Sequence, residues 1–208
     1  AFGLEVNYIP EYLDGTKMLK EIISGSGNIP IVVGAVDNNK TRAIVYEVFK
    51  EKKGMFWLDA GNEEWAGQVV VGYNAGKAVD KSNKEPHLFN LPSVADIYPE
   101  ILEATDKLPH ELSCAERAVS NPQNIQTNQN AANLMMNFAN TILTADAREG
   151  NGLKAHAVAF NTAVPAFTTT LNKYASLVKE EPKAEVEVVK SPVKKKVVAK
   201  KKTEEATA

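Results

Sequence analysis

Residues 29–36, IPIVVGAV, form an unbroken apolar run of strand length, and Asp37-Asn38 follows at once. An uninterrupted run of this kind is expected of a strand covered on both faces. The next segment, NKTRAIVYEVFKEKKG, reads as a helix ended by Gly54. A buried strand that runs through a polar pair into a helix restricts the chain to few architectures.

The neighbouring segments extend the pattern. GLEVNYIP reads as a short strand. DGTKMLKEIISGSG reads as a helix capped by Asp14, with Met18, Leu19, Ile22 and Ile23 on one face and the Gly/Ser run as its stop. MFWLDAG and GQVVVGYN read as two further strands joined by the turn-like GNEE. The order strand, helix, strand, helix, strand predicts an α/β domain with a mainly parallel sheet.

Residues 75–112 are less regular. NLPSVADIYPEILEATDKLP has room for a short helix and resembles a crossover or lid more than a core element. NPQNIQTNQNAANLMMNFANTILTA predicts a long helix, with Ile125, Ala132, Leu134, Met135, Phe138, Ala139, Ile142 and Leu143 at helical spacing as a core-packing stripe. LKAHAVAFNTAVPAFTTTL predicts a strand pair turning near Asn161. From Lys179 the composition becomes Lys/Glu/Val/Pro/Ala-rich, which predicts a disordered tail over 179–208 beyond a domain over 1–178.

Charge is divided the same way. The tail holds nine Lys and six Glu, a net of +3, against -5 for the remaining 178 residues. Its basic run, KSPVKKKVVAKKK, suits nucleic acid or an acidic partner, or is simply solvated; it has no aromatics on which bases would stack. Cys114 is the sole cysteine of the 208 residues, which excludes an internal disulfide and a Cys-x-x-Cys zinc site. No apolar run reaches the roughly 18 residues of a membrane span, and no signal peptide is visible, so a cytoplasmic location is expected. The chain begins abruptly with Ala rather than Met, as a fragment or processed product would.

Asp37 lies where ligands of open α/β sheets sit, beyond a strand's carboxyl end. A carboxylate there holds Mg²⁺ well; equally, Asp37 or Asn38 caps the following helix. Arg42, one turn on, pairs with Asp37, points at a phosphate, or is an ordinary surface arginine. Cys114 precedes a helix in HELSCAERA, as an activated thiol or as an inert small hydrophobe. His110 beside it is a weak metal signal without further ligands, and His87 and His156 read as structural. Gly67-Gln68 marks a close backbone approach or a bulge. GSG at 25–27 follows a helix and is a helix stop, not a phosphate loop.

Taken together, VVGAVDNNKTR, WLDAGNEEWAGQVVVG and Cys114 ahead of a long helix resemble the ThiF/MoeB/HesA superfamily, whose members resemble ubiquitin-activating enzymes. Asp37, Asn38 and Arg42 match its Asp-Asn and following Arg. Gly61, Gly67 and Gln68 match the small-residue strand end and the Gly-Gln that opens the next strand. The resemblance is closest to the ThiF family proteins of plasmid-borne PRTRC systems, through FWLDAGNEEWAGQVVVG, LPSVADIYPEILE, SCAERAVSNPQNIQTNQNAA and VAFN, and covers roughly residues 5–172.

The resemblance implies an incomplete Rossmann-like fold and an ATP-dependent adenylyltransferase. Such an enzyme activates the C-terminal carboxylate of a ubiquitin-like β-grasp protein, with ATP and Mg²⁺ as cofactors. On this likeness Asp37 is the Mg²⁺ and ATP carboxylate, and Asn38, Arg42, Gly61, Gly67 and Gln68 shape the nucleotide pocket. Cys114 lies where some relatives carry a thioester cysteine. The likeness also implies a homodimer to which helix 124–143 contributes. The family's opening strand, Gly-x-Gly-x-x-Gly loop and helix, its ribose Asp and its zinc cysteine pairs have no counterpart. On that basis the chain looks like the carboxy-terminal two-thirds of such an enzyme, inactive without the front segment. The alternative is a protein-binding module that keeps the fold but cannot adenylate.

Overall fold

The computed structural model of the chain describes residues 7–25, 29–76, 90–103, 106–107, 111, 124–144 and 153–171. Its elements run in the order α1 (Thr16–Ser24), β1 (Ile31–Gly34), α2 (Asn39–Glu51), β2 (Met55–Asn62), β3 (Ala66–Asn74), α3 (Val94–Ile97), a 3₁₀ turn (Pro99–Glu103), α4 (Ile125–Thr144), β4 (Ala155–Asn161) and β5 (Ala166–Leu171). The five strands form one sheet in sequential order.

The α/β class holds, but the expected mainly parallel sheet does not. Only β1 and β2 are parallel; β2–β3, β3–β4 and β4–β5 are antiparallel. The reason is connection length. A parallel return needs a crossover of about a dozen residues or more. Glu63, Glu64 and Trp65 alone separate β2 from β3, so those strands must form a hairpin. The same holds for β4 and β5, which turn just after Asn161 as expected.

The central strands are apolar throughout because both of their faces are covered. Phe56, Leu58 and Ala60 of β2 join Val69, Val71 and Tyr73 of β3 under Ala131, Met135 and Phe138 of α4. Met55 and Trp57 point the other way, into a second core with Val70, Val45, Val48 and Phe49, to which α1 adds Leu19 and Ile23. Alternation along each strand therefore feeds two cores, one per face.

Five local expectations are corrected. Residues 7–10 of GLEVNYIP are not strand. Helix α1 has Gly15, not Asp14, at its N-cap, with no side-chain cap, and Ile22 is exposed rather than on the buried face. β1 keeps only four residues of IPIVVGAV; it is a sheet edge, and Val33 is 56% exposed. Residues 94–101 are not a lid: Val94 and Ala95 are each 2% exposed, and Ile101 joins them in the α2-side core. The α4 stripe buries Met135 and Phe138, while Ile125, Ala132 and Leu143 lie exposed. The boundary at 178/179, the tail, His87, His110 and Cys114 lie outside the described residues. Among the described residues, no helix is long and apolar enough to cross a membrane.

Candidate functional site

The parallel pair β1–β2 gives the sheet one place where two carboxyl ends lie side by side. Beyond it opens a cleft of about 950 Å³. Its walls are the β1–α2 loop at Ala35–Asp37, the end of β2 with the Asn62–Glu64 turn, Gln68 of β3, and Asn128, Ala131 and Met135 of α4. Two contacts fix α4 to the turn. The Thr127 hydroxyl donates to the Glu64 carbonyl at 2.9 Å, and Asn62 Nδ2 donates to Asn128 Oδ1 at 2.6 Å.

The question of which residue caps α2 has a definite answer. Asn38 is the N-cap: its Oδ1 accepts from the Thr41 amide at 2.8 Å. Asp37 is thereby left free of capping. It is exposed and borders the cleft, where its one side-chain hydrogen bond among the described residues is a long 3.4 Å approach from Asn38 Nδ2. Two more carboxylates, Glu63 and Glu64, stand exposed on the opposite rim.

Arg42 is neither paired with Asp37 nor at the surface, although it borders the cleft. It is buried, and its Nε donates to Asp59 Oδ1 at 2.9 Å. Nη1 donates to Asn39 Oδ1 at 2.9 Å. Nη2 donates to the carbonyls of Val36 at 2.6 Å and Ala60 at 3.0 Å. One side chain thus ties α2, the β1–α2 loop and β2 together behind the cleft. Arginine suits this place because its planar fork serves several acceptors at once.

Asp59 is 1% exposed. Burial pushes its carboxyl up to about 6; the charge and hydrogen bond of Arg42, and the Trp57 indole, pull the other way without cancelling that rise. Among the described residues, neither Trp57 Nε1 nor Asp59 Oδ2 has a hydrogen-bond partner. Gly34 makes room for them, since a Cβ there would collide with Oδ2.

The glycine and glutamine positions also fall into place. Gly61 and Gln68 are cross-strand partners, and a Cβ on Gly61 would lie 2.6 Å from Gln68 Nε2. Gly67 marks the close approach expected of it, with the Phe160 ring 2.6 Å from where its Cβ would be. Gly61 and Gln68 border the cleft; Gly67 serves packing. His156 is buried in β4. Asp59, Glu63, Glu64 and Asn128 escaped the sequence reading. The signal for Asp59 was available: it is the only charged residue in the run MFWLDAG.

Chemically, the cleft offers carboxylates and amides, and its one cationic side chain among the described lining residues is Arg42, already committed to Asp59. Among the described residues no group of three or more His, Cys, Asp or Glu could hold a metal. Mg²⁺ does not require one; one or two carboxylates with phosphate and water oxygens suffice, which Asp37 can serve. No protein-family model matches the chain, and no curated protein matches it.

Proposed function

We propose that this chain is the nucleotide-binding body of a ThiF-type adenylyltransferase acting on the C-terminal carboxylate of a ubiquitin-like protein. The supporting observation is the division of labour at Asp37-Asn38. Asn38 caps the helix, so the Asp37 carboxylate stays available at the carboxyl ends of the parallel pair. The cleft is large enough for a nucleotide. Asp37 would hold Mg²⁺, and Asn62, Gln68 and Asn128 would supply hydrogen bonds. Bound Mg-ATP would supply an electrophilic α-phosphorus for a carboxylate, with pyrophosphate as the leaving group; the side chains here would bind and orient.

A second reading, a binding module that does not adenylate, draws support from Arg42. With its donors spent on Asp59, Asn39 and two carbonyls, no free cation among the described lining residues neutralises a triphosphate. The chain is therefore expected to bind Mg-ATP near neutral pH only in the millimolar range, about -4 kcal/mol. Isothermal titration tests both readings. Weak binding that Asp37→Ala weakens at least tenfold further supports the nucleotide site. Binding indifferent to Asp37→Ala, or no wild-type binding at millimolar Mg-ATP, favours the module.

A further inference from the structure

The Arg42–Asp59 pair has an arrangement that a purely structural tie does not require. Three of Arg42's four acceptors are neutral groups: Asn39, Val36 and Ala60. These alone fix the guanidinium in place. Asp59 adds a single hydrogen bond through Oδ1 and leaves Oδ2 buried without a partner. What Asp59 chiefly supplies is charge. Arg42 in turn borders the cleft, and its Nη2 lies 3.4 Å from where a Gly61 Cβ would sit.

We propose that the buried Arg42–Asp59 pair is a proton-operated charge switch on the cleft wall, with Asp59 ionised cancelling Arg42 and Asp59 protonated leaving a net positive wall receptive to a polyphosphate. This rests on the reading of the cleft as a nucleotide site. The proton comes from solvent to the Asp59 carboxylate, and Arg42 stays charged throughout. No side chain has to swing out, because the guanidinium keeps its carbonyls in both states and the change is felt across a short, poorly screened distance. Conversely, a polyanion in the cleft favours the protonated state and draws Asp59 toward it.

The groups facing Asp59 are few. Arg42 reaches it from α2, and Trp57 lies beside it on β2. β1 presents Gly34, and the cross-strand neighbour on β3 is Val70. Among the described residues, Arg42 is the one charged side chain bonded to it. The rim carboxylates Asp37, Glu63 and Glu64 line the same cleft as Arg42 and make no ion pair with it among the described residues.

Tripolyphosphate without metal is the probe, because it reads the wall's charge and needs neither adenine nor Asp37-bound Mg²⁺. With the Asp59 carboxyl titrating at about 6, the receptive fraction of the protein rises about 25-fold from pH 7.5 to pH 5.5, and affinity should rise with it. The ligand's own protonation over this range works against the effect. Asp59→Asn should bind tightly at both values, within about twofold on the scale where tenfold is about 1.4 kcal/mol. The double variant Glu63→Gln/Glu64→Gln should keep the wild-type pH ratio. A wild-type ratio within threefold, no detectable binding at pH 5.5, or a wild-type ratio persisting in Asp59→Asn would each overturn the switch.

Should Asp59→Asn not fold, Trp57 serves as the reporter. In a Trp65→Phe background its emission should show a transition at about pH 6, shifted upward by tripolyphosphate. A featureless titration between pH 5 and 7 sinks the proposal. The outcomes separate from those for the site itself. Mg-ATP binding that depends on Asp37 alongside a flat tripolyphosphate profile keeps the nucleotide site and removes the switch; the converse keeps the switch and removes Asp37.

Discussion

The middle of the sheet and its far edge are built from similar strand-forming residues under opposite conditions. Strands β2 and β3 lie between α4 on one face and α1, α2 and α3 on the other, and nearly every residue is buried. Among the described residues strand β5 pairs on one side only, and its residues 166–170 are exposed, including Phe167 at 60%. In the middle each side chain has a fixed volume and, for Asp59, a fixed charge partner. At the edge a side chain touches little besides its cross-strand neighbour. The same substitution should therefore have effects graded by position across the sheet.

The largest effect is expected at Arg42. Arg42→Met removes four hydrogen bonds and leaves Asp59 buried beside an apolar side chain, for which a loss of about 3–5 kcal/mol is typical. Its partner should behave oppositely. The folded-state pKa of Asp59 is raised above the ordinary carboxylate value, so the folded protein holds the extra proton through the window from about 4 up to about 6. Stability from this group is complete below that window and lost as pH rises through it. Asp59→Asn cannot ionise and escapes the loss. At pH 7.5 it should be at least as stable as the wild type, by on the order of 1–3 kcal/mol. Urea titrations at pH 5 and 7.5 check both variants. A destabilised Asp59→Asn would mean that the ion pair, rather than Arg42's neutral acceptors, holds this wall.

A middle-sized effect is expected at Gly72, opposite Trp57 on β3. A Cβ there would lie 2.8 Å from the Ser93 Cα and 3.1 Å from the Phe49 ring. Backbone cannot yield as a flexible side chain can, so Gly72→Ala should cost about 1–3 kcal/mol by overpacking. A neutral result, read from the thermal midpoint, would show that the segment carrying α3 shifts freely on the sheet.

Much of this contrast was legible in the residues. The boundaries of α2 and α4, the β2–β3 and β4–β5 strand pairs and the Asp37 strand end follow from spacing and turn chemistry. The sheet's direction was also written there, since a three-residue turn after Asn62 permits only a hairpin, but strand–helix alternation at the front of the chain pointed the other way. Three features were not accessible. The apolar run 29–36 suits a covered strand, and nothing local reveals that β1 is an edge with Val33 exposed. Arg42 looks like a surface or ligand residue until α2 is docked on β2, because its partner lies 17 positions away. The rim carboxylates Glu63 and Glu64 read as turn residues until α4 closes the other side of the cleft.

The smallest effect is expected at the edge, and one aromatic pair measures it directly. Phe160 of β4 and Phe167 of β5 stack at 6.3 Å between ring centroids, 30° apart in plane. The contact is shared, but the surroundings are not. Phe160 is buried, closing over Gly67 and joining the α4-side core. Truncating it opens a cavity as well as losing the contact, so Phe160→Ala should cost about 3–5 kcal/mol. Phe167 already gives most of its surface to water. Phe167→Ala forfeits part of one ring pair, whose full value is about 0.5–1.5 kcal/mol, and leaves no cavity. Its cost should be below about 1 kcal/mol. Urea denaturation of the two variants side by side gives the ratio. Equal losses would mean that β5 is covered in solution by chain beyond residue 171 or by another molecule. The edge would then be a second buried strand, and the contrast across the sheet would collapse.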